Sequence, residues 1–251
     1  MIILSIMYMN AYRCVSAVVP AFNEERTIRD VILTLLSHDA IREVIVVDDG
    51  STDRTVQEVF DIKVQSEKPI KIIELRRNCG KSAAMNAGVS AAKSAYIFFC
   101  DADVIGLHVQ AIDRILTPVL SKKYAMYVGV RERKIYWMNA LLRFTPILGG
   151  ERALSKELWY KVPASFKKNF QIEIALNYFS KRMPGGMGFE LMPGVGQIIK
   201  EKKYGLLLGL IRRFGMMWDI VVVSVKVYGL ESVRQVNLGW SFVVHKTKMI
   251  K

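Results

Sequence analysis

At 251 residues the chain can bury one substantial core, as one large domain or one domain with an appendage. Half of it is hydrophobic and the mean hydropathy is +0.21, yet no stretch reaches the roughly 18 uninterrupted apolar residues of a spanning helix. The nearest, 216–227, is broken by Asp219 and Lys226. A net charge of +13 calls for anionic partners such as nucleotides, acidic lipid or nucleic acid. Cys14, Cys79 and Cys100 are odd in number and lack metal-ligand spacing, which argues against a disulfide framework and fits a reducing compartment.

The apolar start, Met1 to Asn10, has no basic flank and is expected to be a poorly defined extension or an early start site, not a signal peptide. From Cys14 the pattern alternates. Cys14 to Val19 predicts a strand stopped by Pro20, and Glu25 to Ser37 a helix with Ile28, Val31, Ile32, Leu35 and Leu36 on one face. Val44 to Val47 predicts a buried strand, and Asp48-Asp49-Gly50-Ser51-Thr52-Asp53 is turn and cap chemistry opening a helix over 54–60. Ile70 to Leu75 is a third strand and Lys81 to Ala92 a small-residue helix.

Tyr96-Ile97-Phe98-Phe99-Cys100 predicts a fourth strand, buried on both faces, which runs straight into Asp101-Ala102-Asp103. A helix over 107–120 and a strand over 124–130 follow. Strands and helices alternating at this spacing predict an α/β protein with right-handed crossovers and a mostly parallel sheet. The loops carrying Asn23-Glu24, Asp48-Asp49 and Asp101-Asp103 then leave one edge of that sheet, where open α/β sheets bind ligands. Two acids two residues apart need compensation. A divalent cation carrying phosphate oxygens would supply it, because Mg²⁺ takes one or two carboxylates and completes its shell with water and phosphate. A solvated turn rich in Asp is the plain alternative.

The second half is less regular. Ile147 to Arg152 is expected to form a glycine-hinged turn, Glu157 to Tyr160 a short helix, Ile172 to Lys181 a longer one, and Phe189 to Leu191 a β-like stretch. Lys200 to Lys203 and Arg212-Arg213 flank an apolar run, and Phe214 and Trp218 follow. Such a segment suits a helix lying in a membrane interface, and a core-covering helix with a basic outer face suits it as well. No DNA- or RNA-binding signature accompanies the charge, so nucleic acid is not an expected partner.

With these motifs placed, the chain resembles family 2 glycosyltransferases of the GT-A fold. The resemblance rests on Val18-Val19-Pro20-Ala21-Phe22-Asn23-Glu24-Glu25, then Val46-Val47-Asp48-Asp49-Gly50-Ser51-Thr52-Asp53. Gly80 to Gly88 and Asp101-Ala102-Asp103 follow in the same order. It covers residues 14 to about 213 and is firm as far as Val130. Within the family the chain is similar to dolichyl- and polyprenyl-phosphate sugar synthases, and around Glu173 to the glucosyl-3-phosphoglycerate synthase group.

The resemblance implies a nucleotide-sugar donor, UDP- or GDP-linked, and Mg²⁺ or Mn²⁺. It places Pro20, Ala21 and Glu24 at the nucleoside, Val47 and Asp49 at the base, and Asp101 with the small Ala102 at ribose and metal. Asp103 becomes the direct metal ligand, with Gln197 or water completing the set. Lys81 and Arg152 become cations for phosphate or sugar, although a surface lysine and an ion-paired arginine remain open. Glu173 becomes a candidate base or sugar-orienting acid, although an acid at a helix N-terminus is also common for its dipole alone. The expected layout is an extension over 1–13, a GT-A domain over 14–199, and a basic segment over 200–251. The expected setting is the cytoplasm, with peripheral membrane contact and a lipid phosphate as acceptor. Transfer to a soluble phosphorylated acceptor and a non-catalytic nucleotide-sugar-binding protein are the alternatives.

Overall fold

The structure, a computed structural model, describes residues 14–131, 149–167 and 171–197. The expected extension over 1–13 and basic segment over 200–251 lie outside the described residues. Among the described residues no helix is long and apolar enough to cross a membrane.

The chain forms β1 (Val15–Ala21), α1 (Ile28–Leu36), β2 (Ile41–Asp48), α2 (Thr55–Gln65), β3 (Ile70–Glu74), α3 (Lys81–Ala91) and β4 (Tyr96–Phe99). Then come β5 (Val104–Ile105), α4 (Val109–Leu120), β6 (Met126–Arg131), β7 (Glu151–Ser155), α5 (Lys156–Lys161), α6 (Gln171–Ser180), β8 (Met187–Met192) and β9 (Gly196–Gln197). Seven strands make one sheet in the order β3-β2-β1-β4-β7-β6-β8, and β5 pairs with β9 separately. β7 alone runs against the other six, antiparallel to both β4 and β6. The expected α/β class with a mostly parallel sheet flanked by helices is therefore observed.

Alternation along the central strands feeds two cores. Ala17 and Val19 of β1, Val44 and Val46 of β2 and Phe98 of β4 face α1, α2 and α4 on one side. Val18, Ile45, Val47, Ile97 and Phe99 face α3, α5 and α6 on the other. A strand with neighbours above and below has no polar face, which is why these runs are continuously apolar rather than alternating. On the second side Phe99 lies tilted against Trp159 with ring centroids 5.2 Å apart.

Two expectations are corrected and a third is extended. β1 does not stop at Pro20 but continues to Ala21, still paired with β2 through Pro20 opposite Val47. Its pairing with β4 ends at Val18, so on that side the strand is already an edge, where a residue lacking N–H is tolerated. The stretch from Glu151 is a strand, not the continuation of a glycine turn. Two charged residues at its start hid the apolar signature, yet both are buried. The β-like Phe189 to Leu191 belongs to a longer edge strand, β8.

Helix α3 approaches β1 closely at Gly88, where a Cβ would lie 2.3 Å from Val18 Cγ1. Gly88→Ala should gain about 1 kcal/mol of helix propensity but lose about 1–3 kcal/mol to overpacking. The expected result is a lower urea midpoint, with Val18→Ala partly restoring it in the double variant. Equal or higher stability of Gly88→Ala alone would show that the contact is not tight.

Candidate functional site

The carboxyl ends of β1, β2 and β4 bring the predicted loops together. Asn23 sits at φ 55°, a left-handed conformation that Asn adopts more readily than most residues. Its Oδ1 accepts from Thr52 N–H at 2.8 Å, while its own N–H donates to Ser51 Oγ at 2.9 Å. Glu24 N–H donates to Thr55 Oγ1 at 2.8 Å, and the Glu24 carbonyl accepts from Thr27 and Ile28 at the start of α1. Arg54 N–H donates to Glu25 Oε2 at 3.1 Å. The two loops are thus bonded to each other along their length. Gly50, at φ 79°, lets the second loop touch the backbone of Arg77.

Asp49 ties in the third loop. Its two carboxylate oxygens accept from Cys79 N–H at 2.7 Å and Gly80 N–H at 2.8 Å, just ahead of α3. A buried carboxylate at a helix start is favoured by the dipole and by the otherwise unpaired N–H groups there. These amides, which lie beside Lys81, are engaged by Asp49.

Beyond β4 lies a cluster of charges drawn from four elements. Lys81, first residue of α3, places Nζ 2.7 Å from Asp101 Oδ1 and 3.3 Å from Glu173 Oε1. Burial alone would lower its pKa, but the charges of Asp101 and Glu173 outweigh that and hold it raised. Arg131, at the end of β6, donates from Nη2 to Asp101 Oδ2 at 2.9 Å and from Nη1 to Asp103 Oδ1 at 3.4 Å. It also grips Glu151 through both Nε, at 2.9 Å, and Nη2. Glu151 has no exposed surface; burial raises its pKa, and Arg131 opposes that. Cys100 is buried, and its thiol pKa is pushed up first by burial and then by Glu151 and Asp101. A thiol so disposed is a structural group, not a nucleophile.

Arg152 is 1% exposed. It donates from Nε and Nη2 to the Gly149 carbonyl at 3.0 and 2.6 Å, and Nη2 lies 3.6 Å from Glu173 Oε2. Gly150 leaves space for the carboxylate of Asp101, since a Cβ there would fall 1.9 Å from Oδ2.

Most of the residues singled out in the sequence therefore share one edge. Lys81 contacts Asp101 and Glu173, Arg131 joins Asp101 to Asp103, and Pro20 and Ala21 at the end of β1 adjoin the loops of Glu24 and Asp49. Two expectations need correction. Val47 is fully buried in the core beneath the sheet, so its side chain has no surface to offer a base. Arg152 is an interior brace for Gly149 and Glu173, not a cation presented to a ligand. Sequence reasoning passed over Arg131 and Glu151. Glu151 is adjacent in sequence to Arg152, but its partner is Arg131 of β6. Adjacent residues of a strand point to opposite faces, so the true partner had to come from a neighbouring strand.

Among the described residues no group of three or more His, Cys, Asp and Glu side chains assembles as a metal centre. The carboxylates that would serve as donors are Asp101 and Asp103, whose oxygens already attract Lys81 and Arg131. Hard oxygen donors, only two of them, suit Mg²⁺ or Mn²⁺ completed by phosphate and water. Gln197 pairs through its backbone with Val104, one residue beyond Asp103.

An open α/β sheet with acids and cations gathered at its carboxyl edge defines a ligand-binding α/β protein. The family model for glycosyl transferase family 2 matches residues 16–149, more than half of the chain, and the chain belongs to that family. It is 37% identical over 93 residues to the dodecaprenyl-phosphate galacturonate synthase of Rhizobium johnstonii, which covers 36% of this chain and 28% of that one. It is 32% identical over 92 residues to the poly-β-1,6-N-acetyl-D-glucosamine synthase of Staphylococcus epidermidis, or 36% of this chain and 22% of that one. These matches thus span under a third of either relative. Among solved structures, glucosyl-3-phosphoglycerate synthase from Mycobacterium tuberculosis superposes with a TM-score of 0.70 at 22% identity. That match covers 88% of this chain and 82% of the other, and it shows a shared fold. The other protein was crystallised with Mn²⁺, UDP-glucose and glycerol 3-phosphate.

Replacing Arg152 by Met would strip the Gly149 carbonyl of both side-chain bonds and leave Glu173 with one cation fewer. A buried acceptor without a partner costs about 1–3 kcal/mol, and the denaturation midpoint of Arg152→Met should fall accordingly. An unchanged midpoint would remove Arg152 from its bracing role.

Proposed function

We propose that this protein transfers a sugar from a nucleotide-diphosphate sugar, UDP- or GDP-linked, to a phosphate-bearing acceptor. The observation that carries the reading is the meeting of Asp101, Asp103 and Lys81 at the sheet edge, beside the interlocked loops of Glu24 and Asp49. In this reading Pro20, Ala21, Glu24 and Asp49 frame the nucleoside, and Ala102 keeps the floor low under the ribose. Asp101 and Asp103 hold Mg²⁺ or Mn²⁺. That ion, when bound, neutralises the negative charge that builds on the departing diphosphate.

Lys81 supports the same end. Its ammonium stays charged at every working pH, sits at the start of a helix, and needs only to trade a carboxylate for a phosphate oxygen. Glu173 has one oxygen on Lys81 and the other near Arg152. A general base needs a lone pair free to meet the acceptor proton. A carboxylate with one oxygen on Lys81 and the other facing Arg152 is placed to orient the sugar, and that favours an acceptor that arrives already ionised. A polyprenyl phosphate is such an acceptor, and the synthase from Rhizobium johnstonii is named for one. In this reading the protein works from the cytoplasm at the membrane surface, with the excess of Lys and Arg facing acidic lipid.

Thermal shift with UDP-, GDP- and dTDP-sugars, each with and without Mg²⁺ or Mn²⁺, tests the donor side. The matching pair should stabilise the protein by about 2.7 kcal/mol at a hundredfold excess over Kd. Asp103→Asn should keep the fold, lose the metal-dependent part of that shift and abolish transfer. Full transfer by Asp103→Asn would remove the metal role. Partition of labelled product between organic and aqueous phases then decides the acceptor. Label in the organic phase supports the lipid phosphate; label only in the aqueous phase replaces it with a soluble phosphorylated acceptor.

A further inference from the structure

The carboxylates proposed to hold the metal are already bridged by a side chain of the protein. One arm of the Arg131 guanidinium lies on Asp101 Oδ2 and the other on Asp103 Oδ1. Lys81 takes the remaining oxygen of Asp101. We propose that Arg131 is a resting counter-cation that occupies the metal position and yields it only when metal and nucleotide diphosphate arrive together. The inference rests on the donor-site reading above and adds a positioning residue to it.

Three features argue for displacement rather than permanent pairing. The first is that a guanidinium and a divalent ion compete for the same oxygens. Arginine cannot leave by losing its proton, so it must be moved away as a cation. The second is the seat. Glu151, fully buried, is held through Nε and Nη2, whereas Asp103 is reached through Nη1. Nη2 is shared between Asp101 and Glu151, but the Nε bond to Glu151 depends on neither arm that reaches the proposed metal ligands. Arg131 remains anchored by a carboxylate that has no role toward the metal.

The third is charge. Asp101, Asp103, Glu151 and Glu173 face Lys81, Arg131 and Arg152 in one linked network. A metal ion alone would turn this small deficit of positive charge into an excess, in a place with little water to screen it. A diphosphate entering with the metal brings the compensating negative charge and offers new acceptors to Arg131 and Lys81. Metal and nucleotide should therefore each strengthen the other's binding, by equal factors.

The test is Mn²⁺ binding, read by the electron paramagnetic resonance signal of the free ion, without and with UDP or GDP. The wild-type chain is compared with an Arg131→Met, Glu151→Gln double variant. The second change avoids leaving a buried, unpaired carboxylate. In the wild type, Mn²⁺ should bind weakly alone and about tenfold or more tighter with the nucleotide. The double variant should bind Mn²⁺ alone about tenfold tighter than wild type, and the nucleotide should add correspondingly less.

Unchanged or weaker Mn²⁺ binding by the folded double variant, with nucleotide coupling intact, overturns the proposal and leaves the donor site standing. If the double variant does not fold, the wild type still decides. Equal Mn²⁺ affinity with and without nucleotide overturns the proposal. Absence of Mn²⁺ binding under every condition overturns the donor-site reading, and this proposal with it.

Discussion

The structure depends on how it keeps carboxylates together at the end of β4. Asp101 and Asp103 stand two residues apart, and Glu151 and Glu173 approach from the neighbouring strand and from α6. Left uncompensated, such a group would be expelled into water or protonated. Lys81, Arg131 and Arg152 come from three different elements to prevent that, each touching at least one acid. Breaking a buried pair costs about 3–5 kcal/mol because a lone charge is left behind, whereas an exposed pair such as Arg29 with Glu58 is worth about 1 kcal/mol or less. The network therefore decides how α3, β6, β7 and α6 sit around β4.

The adjoining half of the edge is built on hydrogen bonds instead. The loops after β1 and β2 exchange bonds between backbone and short side chains, and Asp49 fastens the start of α3 to them. Such loops are fixed without large hydrophobic contacts, so their polar groups remain along the rim of the sheet. One half of the site is held by hydrogen bonds from backbone N–H groups, many of them to carboxylates, and the other by ion pairs between side chains.

Much of this was legible in the sequence because the parallel strands are short apolar runs closed by acids. Val44 to Val47 and Tyr96 to Cys100 announced themselves, and the acids beyond them gave the site edge. Where burial involved charge, the pattern misled. Glu151 and Arg152 looked like turn residues, yet they open a strand, because each is neutralised by a partner distant in sequence. Val47 stands in a motif that implies a binding residue, yet it is fully buried in the core, as is its neighbour Val46. Arg131 carried no local signal, since its meaning comes from strands that meet only in three dimensions.

The single reversed strand has a further bearing. Because β7 runs against its neighbours, it begins at the edge where β6 ends, so the chain leaves the sheet at Arg131 and re-enters it near Gly149 on the same side. Insertions or deletions in the intervening stretch need not alter any strand register. A protein built this way can vary the length of chain between β6 and β7 without disturbing the parallel half, whose nested loops change only in concert.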